Sequence, residues 1–172
     1  MNLVLCTRAM AFVAFALAVT PLAAKSLSLS AGTVSIAFDI PDNWESARVK
    51  RGLEIKSGDG EVFLWIESYP HADLEKIKAE HGKYFAQQGV SVTGEPKINA
   101  QDFPGYSLAM MDIPATWKGK PTVLRYIIVE PKASTKNPIM LSYWASPEGD
   151  KTHDGAMQAL VNSLAAGIDK AM

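Results

Sequence analysis

The stretch GLEIKSGDGEVFLWIESYPHADLEKIKAEHGKYFAQQG, residues 52–89, decides the fold. Its first half reads as a β-hairpin. Residues 52–57 and 61–69 flank Gly58-Asp59-Gly60, where the two glycines supply the backbone freedom of a tight turn. Its second half reads as a helix. Asp73 is placed as N-cap with Glu75 in the first turn. With Leu74 as the reference and about 100° per residue, Ile77, His81, Tyr84, Phe85 and Gln88 fall within an arc of roughly 100°, and Gly89 ends the run. A hairpin running directly into an amphipathic helix announces a sheet with a helix packed on it.

The pattern extends in both directions. Upstream, TVSIAFDIP (33–41) alternates, with Val34, Ile36, Phe38 and Ile40 on one face and Pro41 as the stop. Downstream, a weak strand is predicted near 90–97 and further strands at about 106–115, 122–130 and 138–146. TWKGKP (116–121) reads as a turn, and PKASTKNP (131–138) as a loop. TVLRYIIVE (122–130) is apolar on both parities near its end, which places it centrally. A final helix is predicted over about 151–168, with Met157, Leu160, Val161, Leu164 and Ile168 as its apolar stripe. Consecutive strands with short connections imply antiparallel pairing. The expected fold is α+β: one domain over 27–172, an antiparallel sheet of about six to seven strands flanked by two helices.

The first 26 residues read differently. Arg8 precedes an apolar run from Ala9 to Val19, followed by Thr20-Pro21 and small residues at Ala23 and Ala24. This is the layout of a secretory signal peptide, cleaved near Ala24 to Ser26, and it predicts a periplasmic protein. The run is shorter than the about 20 residues of a spanning helix, so no membrane insertion is expected once the signal is removed. Cys6, the sole cysteine, precedes the apolar run. That position does not suit a lipidation signal, and cleavage leaves no thiol for disulfide chemistry. The composition, 48% hydrophobic and 20% charged, is that of a globular protein. A net charge of −1 lacks the basic footprint of nucleic-acid binding.

FDIPDNWE (38–45) carries a resemblance. A strand ending in Phe38, Pro41 and Trp44, a three-strand block leading into a helix, a meander of strands and a closing amphipathic helix together resemble the PsbP-like superfamily. That superfamily includes the photosystem extrinsic protein PsbP, DcrB-type bacterial envelope proteins and the Ran-binding Mog proteins. The resemblance spans most of the chain after the leader and rests mainly on element order. Asn43 stands where the family usually has glycine, a mild departure because Asn tolerates positive φ. The resemblance implies a PsbP-like fold and a non-enzymatic binding or assembly role, with no catalytic residue to carry over. Some similar envelope proteins are immunity proteins that block a delivered toxin.

The side chains that suggest chemistry do so weakly. His81 sits mid-arc on its helix, with Ile77, Lys78, Tyr84 and Phe85 where a second metal ligand would have to be. It is expected to be a packed histidine, with His71 preceding the helix. GYSLA (105–109) has Ala109 in place of the second glycine of a nucleophile elbow. A hydrolase built on Ser107 and His153 is therefore a remote alternative. SGDGE (57–61) lacks calcium-loop spacing and reads as a turn. His153-Asp154 reads as a solvated helix start, with Asp154 favourable to the dipole. No catalytic, cofactor or metal residues are assigned. Trp117 is different, being a large aromatic in a turn, followed by Lys118 and Lys120. These three are the expected partner-binding residues, with Trp117 as apolar anchor and the lysines as electrostatic rim. Trp44, Trp65 and Trp144 are assigned to the core or a sheet face. The expected role is an exported binding or assembly protein with an unknown protein partner; the alternatives are an immunity protein or a small-ligand carrier with an enclosed apolar pocket.

Overall fold

The computed structural model describes residues 23–132 and 136–171. The predicted leader lies almost wholly outside the described residues. Its expected boundary at 24–26 falls inside strand β1 (Ala24–Ala31), which forms a hairpin with β2 (Val34–Pro41). Lys25 anchors that end by donating from Nζ to the carbonyls of Asp42 and Trp44.

The remaining strands are β3 (Glu45–Val49), β4 (Gly52–Lys56), β5 (Val62–Ser68), β6 (Val90–Val92), β7 (Lys97–Asp102), β8 (Tyr106–Trp117), β9 (Lys120–Pro131) and β10 (Ile139–Ala145). They form one eight-stranded sheet in the order β3-β4-β5-β10-β9-β8-β6, with β7 also on β8. Among the described residues, every pairing within it is antiparallel. The fold is α+β as expected, with more strands than the sequence suggested. The additions are β1, β3 and β7. The latter two are almost fully exposed, so neither shows the alternation that marks a half-buried strand. The central strand is β10 rather than β9, because β10 lies between β5 and β9 and buries both faces.

Two long helices follow the predicted stripes, and a short one precedes the second. Helix α1 (Leu74–Gln87) buries Ile77, His81 and Phe85. Asp73 takes the N-cap position but makes no side-chain cap bond, and Gly89, at φ 87°, ends the helix. The predicted final helix is two: α2 (Pro147–Thr152), capped by Ser146 Oγ accepting from Gly149 N, and α3 (Asp154–Ala171). Asn43 needs no positive φ; among the described residues Lys118 is the non-glycine residue that has one.

The layers are unequal. On one face, Leu160, Leu164 and Ile168 of α3 pack with Leu29, Ile36 and Phe38 of the β1–β2 hairpin and with Leu64, Ile66 and Leu141 of the sheet. On the other face, α1 alone packs Ile77 and Phe85 against Tyr126, Leu124 and Met140. Trp44 is buried in the first core, while Trp65 and Trp144 border the second.

Helix α3 approaches β2 so closely that a Cβ on Gly167 would lie 2.1 Å from the Ala37 carbonyl oxygen. Gly167→Ala is expected to destabilise the domain by about 2 kcal/mol, outweighing alanine's better helix propensity of about 1 kcal/mol. Urea unfolding checks this; an unchanged or raised midpoint would show that the helix can shift at no cost.

Candidate functional site

Under α1 the chain buries a polar relay. His81, at 3% exposure, places Nδ1 2.9 Å from Ser142 Oγ and Nε2 2.7 Å from Glu67 Oε2. Glu67 Oε1 accepts from Arg51 Nε at 3.1 Å, and Arg51 continues to Glu80 on α1 at 2.9 Å. The Glu67 oxygen is near the ring nitrogen but off the line of its N–H, so that contact is electrostatic more than directional. Trp65 lies against the imidazole with centroids 4.8 Å apart, and Tyr126 stacks at 6.2 Å. Burial, aided by the Glu67 charge, pushes the Tyr126 phenol up to about 12.

Serine, histidine and glutamate in this order invite comparison with a hydrolytic triad. Ser142, however, has no exposed surface, which denies a substrate any approach to its hydroxyl. The arrangement instead satisfies the one polar side chain in the middle of the central strand and pins α1 to the sheet. His81 is the packed histidine the sequence suggested. Its polar partners were not foreseen.

The other candidates are scattered. Ser107 donates to Asp102 at 2.7 Å on the β7–β8 edge. His153 joins α2 to α3 and contacts Asp59 Oδ2 at 2.8 Å, with its ring edge-on to Trp44. Ser107 pairs with Glu130 of β9, whereas the β10 end that leads into α2 pairs with Val123. Those register positions are roughly 23 Å apart along the strand, so Ser107 and His153 share no site. His71 spends its ring on Glu130 and the Lys136 carbonyl, partners different from those of His81. The SGDGE turn is closed by Asp59, which accepts from Ser57 Oγ at 2.6 Å and Glu61 N at 3.1 Å. The apolar voids beside α3 hold about 10 Å³ each, while a cleft of about 360 Å³ between α3 and β2 is partly lined by polar groups such as Ser35, Asp39 and Lys170 and is not the enclosed apolar pocket a carrier needs.

Trp117 lines the candidate site best defined by geometry. It ends β8, and Lys118-Gly119 turn the chain at φ 49° and 81° into Lys120, the register partner of Trp117. Two positive φ values are what a two-residue hairpin turn requires. The tip is tied to the end of α1. Trp117 Nε1 donates to the Gln88 carbonyl at 2.9 Å, and Lys118 N donates to the Gly89 carbonyl at 2.9 Å. Trp117 remains 41% exposed, edge-on to Trp144, with the Lys118 ammonium 4.7 Å over its own ring.

Beside it runs an open groove of about 490 Å³. Phe63, Trp144 and Trp117 form its aromatic surface, Pro121 and Pro147 its apolar ends, and Lys120 and Glu61 its charges. The predicted residues Trp117 and Lys120 both line it, whereas Lys118 does not and lays its ammonium over the Trp117 ring. The sequence did not reveal that Phe63 and Trp144, on two other strands, complete the surface, because nothing local links them to residue 117.

No family model and no curated protein matches this chain. Among solved structures, the solution structure of cyanobacterial PsbP (CyanoP) from Synechocystis sp. PCC 6803 is similar, with a TM-score of 0.58 at 10% identity over 85% of this chain and 94% of that one. A crystal structure of a protein of unknown function from Pseudomonas aeruginosa matches at a TM-score of 0.38, with 14% identity over 77% of this chain and 91% of that one. The fold is therefore PsbP-like, as the sequence suggested.

Two expectations follow. His81→Ala should cost about 3 kcal/mol, because it leaves Glu67 and Ser142 buried and short of a partner. Denaturant unfolding measures the loss, and hydrogen exchange should show it concentrated in α1; wild-type protection there would deny the relay its anchoring role. The Ser57 hydroxyl, the Glu61 N–H and His153 hold the Asp59 carboxyl well below the usual carboxylate range. Its contribution is complete above its unfolded pKa of about 4 and declines as pH falls below that. Melting curves between pH 2 and 6 should therefore show a shallower acid limb for Asp59→Asn than for the wild type.

Proposed function

We propose that this domain acts by binding, without catalysis of its own, and that its contact surface is the groove beside the β8–β9 turn. The observation that carries this reading is Trp117: a large aromatic held at a hairpin tip by two hydrogen bonds to the end of α1, yet 41% exposed. An aromatic fixed before contact loses little side-chain entropy on binding, which is the property of an interface anchor. The fold supports a binding or assembly role by analogy only. The leader sequence supports export and action in the periplasm. No helix among the described residues is long and apolar enough to cross a membrane.

The partner class is a protein. A toxin blocked by this domain would be one such partner, recognised by tight one-to-one capture. Affinity purification of the tagged protein from the envelope fraction identifies the partner. Trp117→Ala should weaken that capture about 30-fold, the effect of losing one anchor worth about 2 kcal/mol, with the fold retained by circular dichroism. Equal capture by the variant would exclude this surface, and recovery of the protein from the cytosol alone would exclude export.

A further inference from the structure

We infer that the groove takes an extended peptide segment in which an apolar or aromatic side chain lies within a few residues of an aspartate or glutamate. This rests on the binding role proposed above and specifies its ligand.

The donors of the groove are already spent within the protein. Trp117 Nε1 donates to the Gln88 carbonyl at 2.9 Å and Trp144 Nε1 to Thr122 Oγ1 at 3.0 Å. Thr122 Oγ1 in turn donates to the Ala145 carbonyl at 2.8 Å, and Ser146 Oγ donates to the Glu61 carboxylate. Pro121 and Pro147 have no N–H to offer. What remains is aromatic and aliphatic surface plus charge. A ligand gains there by laying an apolar side chain on Trp144 and Trp117, because the neutral side-chain donors of the groove are already bonded.

The charges are separated. Lys118 and Lys120, on the hairpin side, form no ion pair among the described residues. Glu61 lines the groove from the β5 side and Asp59 precedes it in the same turn. An acid on the ligand is attracted towards Lys120 and repelled from Glu61, which fixes its place relative to the apolar side chain. The groove is open along one side. Small ligands favour pockets that bury most of their surface, so this shape suits a chain that enters and leaves.

The test is selection of a displayed library of random seven-residue peptides on the purified protein, with tryptophan fluorescence as the binding readout. Enriched peptides should share an apolar residue close to an acid and perturb the fluorescence of the wild type. Lys120→Glu should weaken the best peptide at least tenfold and should prefer the same peptide with its acid replaced by lysine. Trp144→Leu should weaken both versions. A consensus without acids, no consensus at all, or an affinity indifferent to Lys120→Glu overturns the inference. If partner capture still depends on Trp117 while the selection fails, the peptide specificity is wrong and the binding surface stands. If both fail, the surface itself is wrong.

Discussion

Strand β10 holds this molecule together. It is last in the chain among the strands, yet it lies between β5 and β9 and pairs with each along all seven of its residues. Without it, β3–β4–β5 would be one small sheet and β8–β9 with its edge strands another. An insertion of this kind leaves little solvent face: Ile139, Met140, Leu141 and Tyr143 are all at or below 1% exposure, and Trp144 alone is partly exposed. Non-local pairing must also overcome the entropy of closing a long loop before it returns anything. Ser142, in the middle of that strand, is a polar group in the least forgiving place. It is tolerated because His81 descends from α1 to meet it. One hydrogen bond therefore satisfies the central strand and docks the helix that covers it.

Arg51 and Glu67 keep this arrangement from becoming a liability. A buried histidine beside a lone carboxylate would leave that carboxylate without compensation. Here the second oxygen of Glu67 is bonded by Arg51, whose guanidinium also reaches Glu80 on the outer side of α1. The relay thus runs from the central strand, through the helix face, to the surface. Replacing all of it with apolar residues of similar volume could give a domain of equal stability. Its particular effect is to fix where along the sheet α1 sits, since sliding the helix by one turn, about 5.4 Å, would break three polar contacts at once.

The legible parts of this fold are those whose burial is periodic. The alternation of β2, the glycine turn between β4 and β5, the arc of α1 and the stripe of α3 could all be read because each buries one face of a local element. The strands β3 and β7 could not, because their residues are exposed and they are strands only by virtue of the neighbour they pair with. The same distinction governs the sites. His81 could be recognised as packed from its position between Ile77 and Phe85, but its partners lie 14 residues before it and 61 after, on strands whose order the sequence does not display. Trp117 stood out as an aromatic in a turn. The groove did not, because Phe63 and Trp144 look like ordinary sheet residues until β10 brings them beside β5.

Why the groove is left open follows from the inequality of the two faces. Strands β8 and β9, at 12 residues each, run about 40 Å. Helix α1, at 14 residues, reaches only about 21 Å. The opposite face meets the same difficulty with two covers, α3 and the β1–β2 hairpin. The α1 face has no second cover, so what extends past the helix end must be polar or must have a use. It is neither polar nor loosely arranged: Phe63 and Trp144 meet Tyr84 and Phe85 of α1, Trp117 extends that aromatic layer from the hairpin tip, and the tip is tied back to the helix end. Lys118 holds a left-handed conformation at a cost of about 1 kcal/mol to keep the turn tight enough for both hydrogen bonds. Solubility alone would be served by a smaller residue and a looser turn. A fixed, half-exposed Trp117 beside Trp144 is consistent with the contact surface proposed above.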